Sequence, residues 1–237
     1  MSDLLTMMWK EAKDLLFQGG WKAWIRPILL VGIIGAYLPL QFGLSWLELS
    51  PIEIFVILWI PFFTIISFIG DAIAGERERH TLETLLASRM PDQAILLGKV
   101  LVTVGYAWGM ALVGLLLGLI VVNLFHGNGS WAFYHPFDRI LAVLALSLLV
   151  SILGASVGVL VSLRSATVRQ AQQVLSISTL VLVFGGVFVL QAVPTGFISS
   201  LSYSQFLLLM IAVIAVLDAI SLSISLVRFQ RSHLILS

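Results

Sequence analysis

The chain has 237 residues, 59% of them hydrophobic and 11% charged, with a net charge of +1 and no cysteine; its mean hydropathy is +1.07. Soluble domains carry about 25% charged residues, so this composition excludes a soluble globular enzyme and implies an integral membrane protein. Disulfides, thiolate metal sites and a cysteine nucleophile are excluded as well, and without a basic stripe interleaved with aromatics nucleic acid is not an expected partner.

From Asp3 to Gln18, apolar residues Leu4, Leu5, Met8, Trp9, Ala12, Leu15 and Leu16 recur at helical spacing, while Lys10, Lys13, Asp14 and Gln18 fall elsewhere. This predicts an amphipathic helix lying in the cytosolic membrane interface. Gly19-Gly20 ends it, and Trp21, Lys22, Trp24 and Arg26 have headgroup-layer chemistry. No short basic region leads directly into an apolar run with a small-residue cleavage site, so no cleaved signal is expected and the first span directs insertion.

A helix needs about 20 apolar residues to cross the hydrocarbon core, and the chain holds six such runs. Span 1 is predicted over 27–47 with a kink at Pro39, and span 2 over 52–74 with a bend at Pro61. Between them Ser50, Pro51 and Glu53 have the spacing of a capping box. Span 3 is predicted over 96–125 behind an N-cap at Asp92, span 4 over 140–163, span 5 over 171–193 and span 6 over 206–227. Gly105/Gly109, Gly114/Gly118 and Gly154/Gly158 are four apart, a spacing that lets helices approach closely in lipid. Between spans 3 and 4, Gly127-Asn128-Gly129 is turn chemistry, Asn128-Gly129-Ser130 fits the glycosylation tripeptide, and His126 and His135 match no metal motif.

With both termini inside, twelve of the thirteen Lys and Arg residues fall on the inner side and only Arg139 on the outer. The positive-inside rule therefore puts the segment joining spans 2 and 3 in the cytosol. That segment, Asp71 to Lys99, packs charge between two long apolar runs. It contains Gly75-Glu76-Arg77-Glu78, then Thr81-Leu82-Glu83-Thr84-Leu85-Leu86-Ala87-Ser88, then Ile95-Leu96-Leu97-Gly98-Lys99. On spacing alone, Glu76 to Arg79 reads as a solvated loop end with local salt bridges, each worth under about 1 kcal/mol.

The same residues closely resemble the signature loop of ABC-2 type transporter permeases, the membrane subunits of ATP-driven exporters. The resemblance implies an all-α integral membrane fold with six transmembrane helices, an N-terminal interfacial helix (1–26) and a cytosolic coupling helix in the loop 75–91. The whole of 1–237 would form one permease domain. In such a fold the coupling helix docks into a groove of a separate ATPase subunit. Leu82, Leu85 and Leu86 would be its apolar edge, Glu76, Glu78, Arg79 and Glu83 its polar rim, with Arg77 and Thr81 in the same segment. A second permease subunit, identical or paralogous, would face this one across the pathway, with lipid around both. ATP and Mg would be held by the ATPase, and this chain would carry no cofactor or metal of its own. The plasma membrane of a bacterium or archaeon is the implied location. Relatives often place Pro directly after the Ser, whereas here Arg89 and Met90 precede Pro91, which puts the exit of the coupling helix in doubt. The segment 194–205 corresponds to short re-entrant helices in relatives, and an ordinary surface loop is the alternative.

No G-x-x-x-x-G-K-[ST] occurs, since Gly98-Lys99 lacks the earlier Gly and the following Ser or Thr, so the chain is not expected to hydrolyse ATP. H-E-x-x-H is missing too. Asp71 sits near the cytosolic end of span 2, and Asp218 is the one ionisable residue near the middle of a span. A charge at that depth costs several kcal/mol on insertion scales, so Asp218 should be protonated, paired or facing water. It supports the alternative of an ATP-independent transporter or channel; a non-transporting assembly or sensor protein is the other alternative.

Overall fold

The computed structural model describes residues 2–17, 20–81, 91–127, 129–192 and 202–228, and every regular element among them is helical. Helix α1 (Ser2–Phe17) is followed by α2 (Gly20–Gly32), which runs on through a π turn (Ile33–Tyr37), α3 (Leu38–Phe42) and a 3-10 turn (Gly43–Glu48). Then come α4 (Pro51–Ile69), α5 (Asp71–Glu78), α6 (Asp92–His126), α7 (Phe137–Arg164), α8 (Val168–Ala192) and α9 (Tyr203–Arg228). Four stretches, Trp24–Glu48, Asp92–His126, Phe137–Arg164 and Tyr203–Arg228, are long and apolar enough to cross a bilayer, and Pro51–Ile66 is a shorter apolar helix. The chain is thus a multi-pass membrane protein.

The irregularities have local causes. Pro39 has no N–H, and in a regular α-helix its ring would clash with the carbonyl four residues back, at Gly35; the turn before it is a widened π turn over Ile33–Tyr37. Gly35 is also where α6 comes closest: a Cβ there would stand 2.8 Å from the carbonyl oxygen of Gly114. The small-residue pairs are not equivalent. Side chains at Gly114, Gly118, Gly154 and Gly158 would collide with or crowd Ile60, Trp46, Ile65 and Ile69, whereas Gly105 and Gly109 have nothing within 4 Å. Close approach therefore governs four of the six glycines, and the first pair faces away from the described helices.

Two caps differ from expectation. Ser50 is the N-cap of α4 with Pro51 behind it, but its hydroxyl makes no bond to the helix backbone and bonds the Glu53 carboxylate instead. Pro91, not Asp92, is the N-cap of α6; Asp92 stands in the first turn, where a carboxylate favours the helix dipole.

Two apolar clusters stack along the bundle axis where α4, α6 and α7 meet. One joins Ile65, Ile69, Ile95, Leu96 and Val159 to Met7 of α1, and the other is built on Trp46, Leu47, Ile57, Ile60 and Leu146. At the second cluster's end, Arg139 donates to the Glu48 carbonyl at 2.6 Å and stacks over Tyr203, 4.5 Å from the ring centroid. The Tyr203 hydroxyl donates to the Leu49 carbonyl at 2.9 Å, tying α9 to the turn before α4.

Candidate functional site

The sequence predicts span 2 over 52–74, bent at Pro61, with a loop from Gly75. Instead α4 stops at Ile69, and α5 carries helical backbone through Glu78, so Gly75 to Glu78 are helical. The break is filled by one side chain. Ser162 Oγ of α7 accepts the N–H groups of Ile73 (3.1 Å) and Ala74 (2.9 Å) and donates to the Gly70 carbonyl at 3.2 Å. A hydroxyl inserted into the helical ladder satisfies the groups a bend would otherwise orphan in an apolar interior.

Consecutive helical residues diverge by about 100°, so Glu76, Arg77 and Glu78 reach three different neighbours. Arg77 donates to the carbonyls of Ser165 (2.6 Å) and Leu163 (3.2 Å), placing its cation on the exposed carbonyls that end α7. Glu78 Oε1 accepts the Val168 N–H at 3.1 Å, placing its anion on the first turn of α8. Glu76 turns inward. Its Oε1 accepts from Lys99 Nζ and from Lys10 Nζ, each at 3.0 Å, and Lys99 also donates to Glu11 Oε1 at 2.8 Å.

This four-residue clasp joins α1, α5 and α6 and carries no net charge. The Lys99 side chain is 2% exposed and that of Glu76 9%. A buried ammonium is tolerable only when paired, and Lys99 has two carboxylates. Burial draws the Lys10 ammonium down, but the charge and hydrogen bond of Glu76, helped by Glu11 and Asp14, outweigh it and leave Lys10 above its ordinary value. Glu76 Oε2 is buried and has no hydrogen-bond partner among the described residues.

Helix α5 ends in a Schellman motif. The Thr81 N–H bonds the Glu76 carbonyl at 2.9 Å and the His80 N–H bonds that of Arg77 at 3.1 Å, with His80 left-handed at φ 56°. The chain therefore leaves the clasp in a fixed direction at Thr81, and α6 begins at Asp92, seven residues before Lys99.

Among the residues expected to form a coupling surface, Glu78, Arg79 and Thr81 are exposed and Arg77 is half-buried. Glu76 is buried, which corrects its expected place on an outward rim: two ammonium groups draw it into the subunit. Leu82, Glu83, Leu85 and Leu86 lie outside the described residues. So do the side chain of Asp71, whose backbone opens α5, Asn128 of the glycosylation tripeptide, and most of 194–205. Asp218 does not join the clasp. It is 4% exposed on α9, and neither carboxylate oxygen has a partner among the described residues. Sequence reasoning gave no role to Lys99, Glu11 or Ser162. The available signal was Lys99 itself, a lone cation between Gly98 and Val100 inside an apolar run.

Helix α1 docks by an unexpected edge. Met7, Lys10 and Glu11 face the bundle, with Met7 fully buried against Gly98, while Leu5, Trp9 and Leu16 of the apolar stripe point away and Trp9 is 74% exposed.

Residues 50–229 match the family described as ABC-2 family transporter protein. Over 140 residues the chain is 33% identical to the protein named ABC transporter permease protein NatB of Bacillus subtilis (strain 168), an alignment covering 56% of this chain and 35% of that relative. The match thus spans about a third of the relative's length. No solved structure matches. With the family match extending from the turn before α4 to the end of α9, the chain belongs to the ABC-2 family of transporter proteins.

Proposed function

We propose that this chain is the membrane subunit of an ABC exporter, a single six-span permease domain that pairs with a second permease subunit and is driven by a separate ATPase holding ATP and Mg. The segment from Thr81 to Pro91 is the handle, and the ATPase grips it through Leu82, Leu85 and Leu86. Both termini and this handle lie on the cytosolic side of the plasma membrane, and the outward apolar stripe of α1 rests on the lipid.

The observation that carries this reading is the bracing of α5. Glu76, Arg77 and Glu78 connect it to α6, α7 and α8. A force applied just beyond α5 reaches three helices through charge-assisted bonds instead of dissipating in a loop. Affinity purification from the native cell should retain a nucleotide-hydrolysing subunit with the wild-type chain and lose it with Leu82→Asp/Leu85→Asp, variants that leave the clasp intact. Absence of any such companion from the wild-type preparation would sink the reading.

One observation favours a second reading, gradient-driven transport without ATP: the buried carboxylate of Asp218, which has no hydrogen-bond partner among the described residues. Cargo movement in vesicles with a proton gradient and no ATP, abolished by Asp218→Asn, would select it.

A further inference from the structure

A groove of about 410 Å³ opens at the end of the bundle that carries the clasp, between the last turns of α7 and α9 and the first turns of α8. Its walls are apolar, from Leu160, Val161, Val174 and Ile224, and its rim holds two guanidinium groups, Arg164 and Arg228. Those arginines are the last residues of two membrane-crossing helices, which places them at the depth of the lipid headgroups.

Neither arginine has a hydrogen-bond or ion-pair partner among the described residues. Among the described residues no acidic side chain lines the groove; the Ser165 hydroxyl donates to the Val161 carbonyl at 2.9 Å, and the Gln170 side-chain oxygen accepts the Ala166 N–H at 3.0 Å. Two cations without a partner among the described residues, above an apolar slot, complement a ligand with an anionic head and a hydrocarbon tail. At this depth, the molecule of that chemistry at hand is a phospholipid of the adjacent leaflet.

We propose that this groove is a binding site for one anionic phospholipid, its phosphate held by Arg164 and Arg228 and an acyl chain lying along Val161, Val174 and Ile224. Guanidinium groups suit this task because their planar fork bonds phosphate oxygens in pairs. The site has a built-in line to the clasp, since Arg77 holds the carbonyls of Leu163 and Ser165 in the same turn that carries Arg164. An occupied groove stiffens the α7–α8 turn on which α5 is braced. None of this depends on the ATPase or the direction of transport.

The test is intact-protein mass spectrometry of the detergent-purified chain titrated with phosphatidylglycerol, phosphatidylcholine, water-soluble glycerophosphoglycerol or inorganic phosphate. Wild type should retain one phosphatidylglycerol in clear preference to phosphatidylcholine. Arg164→Gln and Arg228→Gln should each weaken retention about fivefold, in keeping with the contribution of one cation near a lipid surface. The Lys counterparts should retain most of the preference. Val174→Trp, at a position 40% exposed and so tolerant of bulk, should block the slot with both charges in place. Equal retention of the two lipids by wild type overturns the proposal, as does a preference that survives the paired Gln variant or Val174→Trp. Binding of glycerophosphoglycerol or inorganic phosphate as tight as that of the lipid overturns it too, by showing that the site takes a free anion. The Lys and Trp variants keep the question decidable if the Gln variants fail to fold.

Discussion

Lys99 Nζ lies 3.0 Å from Glu76 Oε1, and this contact closes α6 onto α5 across the nine residues, 82–90, that lie between Thr81 and Pro91. The two ends of the proposed handle are therefore fixed to each other by a buried ion pair and to α1 through Lys10 and Glu11.

Removing one member of this pair leaves a buried charge under-compensated. Lys99→Met should destabilise the protein by about 3–5 kcal/mol, the usual cost of breaking a buried pair from one side. Combined with Glu76→Gln, the loss should fall short of the sum of the single variants by about 1–3 kcal/mol, as expected for residues in one network. Unfolding followed in detergent for the four members of the cycle measures both quantities. Strict additivity would show that the contact does not contribute to stability.

The Lys10 shift sets the pH range in which its link to Glu76 holds. Because its folded value lies above the ordinary 10.5, the stabilisation is fully present below 10.5 and is lost as pH rises through the folded value. The melting-temperature difference between wild type and Lys10→Met should therefore stay constant from about pH 6 to about pH 9 and shrink only in stronger alkali. A difference that vanishes near neutrality would contradict the pairing.

His80 closes the Schellman motif at φ 56°, a conformation that costs a side chain about 1–2 kcal/mol and glycine almost nothing. Part of that gain is offset by the added freedom of glycine in the unfolded chain. His80→Gly should raise stability by about 0.5–1 kcal/mol, and His80→Val should lower it. Thermal unfolding of the two variants reads the sign directly.

Glycines of the same spacing should respond in opposite ways. A methyl at Gly158 would overlap Ile69, so Gly158→Ala should push α7 from α4 at a cost of about 1–3 kcal/mol. Gly105 meets nothing within 4 Å, and Gly105→Ala should leave the folded subunit's stability unchanged or slightly raised. Comparing the melting temperatures of the two variants checks the assignment.

The sequence made the long apolar helices legible because in lipid every backbone group must be satisfied within its own helix, so length and hydropathy suffice to find them. It could not disclose where α4 gives way to α5. That break depends on Ser162, some ninety positions along the chain, reaching into the ladder. The character of Glu76 was hidden for a similar reason: beside Arg77 and Glu78 it looks like another solvated acid, and only the folding of α1 and α6 around it surrounds it with ammonium groups. In α1 the apolar stripe was visible, but the direction it faces was not. The docking edge is chosen by Met7 fitting Gly98 and by Glu11 meeting Lys99.

That docking edge gives α1 a duty beyond resting on a surface. Glu11 supplies one of the two carboxylates that shield the Lys99 ammonium, so anything that unseats the first seventeen residues leaves that interior cation with Glu76 alone. A purification tag or fluorescent fusion placed at that end is thus an electrostatic perturbation of the whole bundle, and loss of yield from such a fusion would report on the shield before it reported on transport.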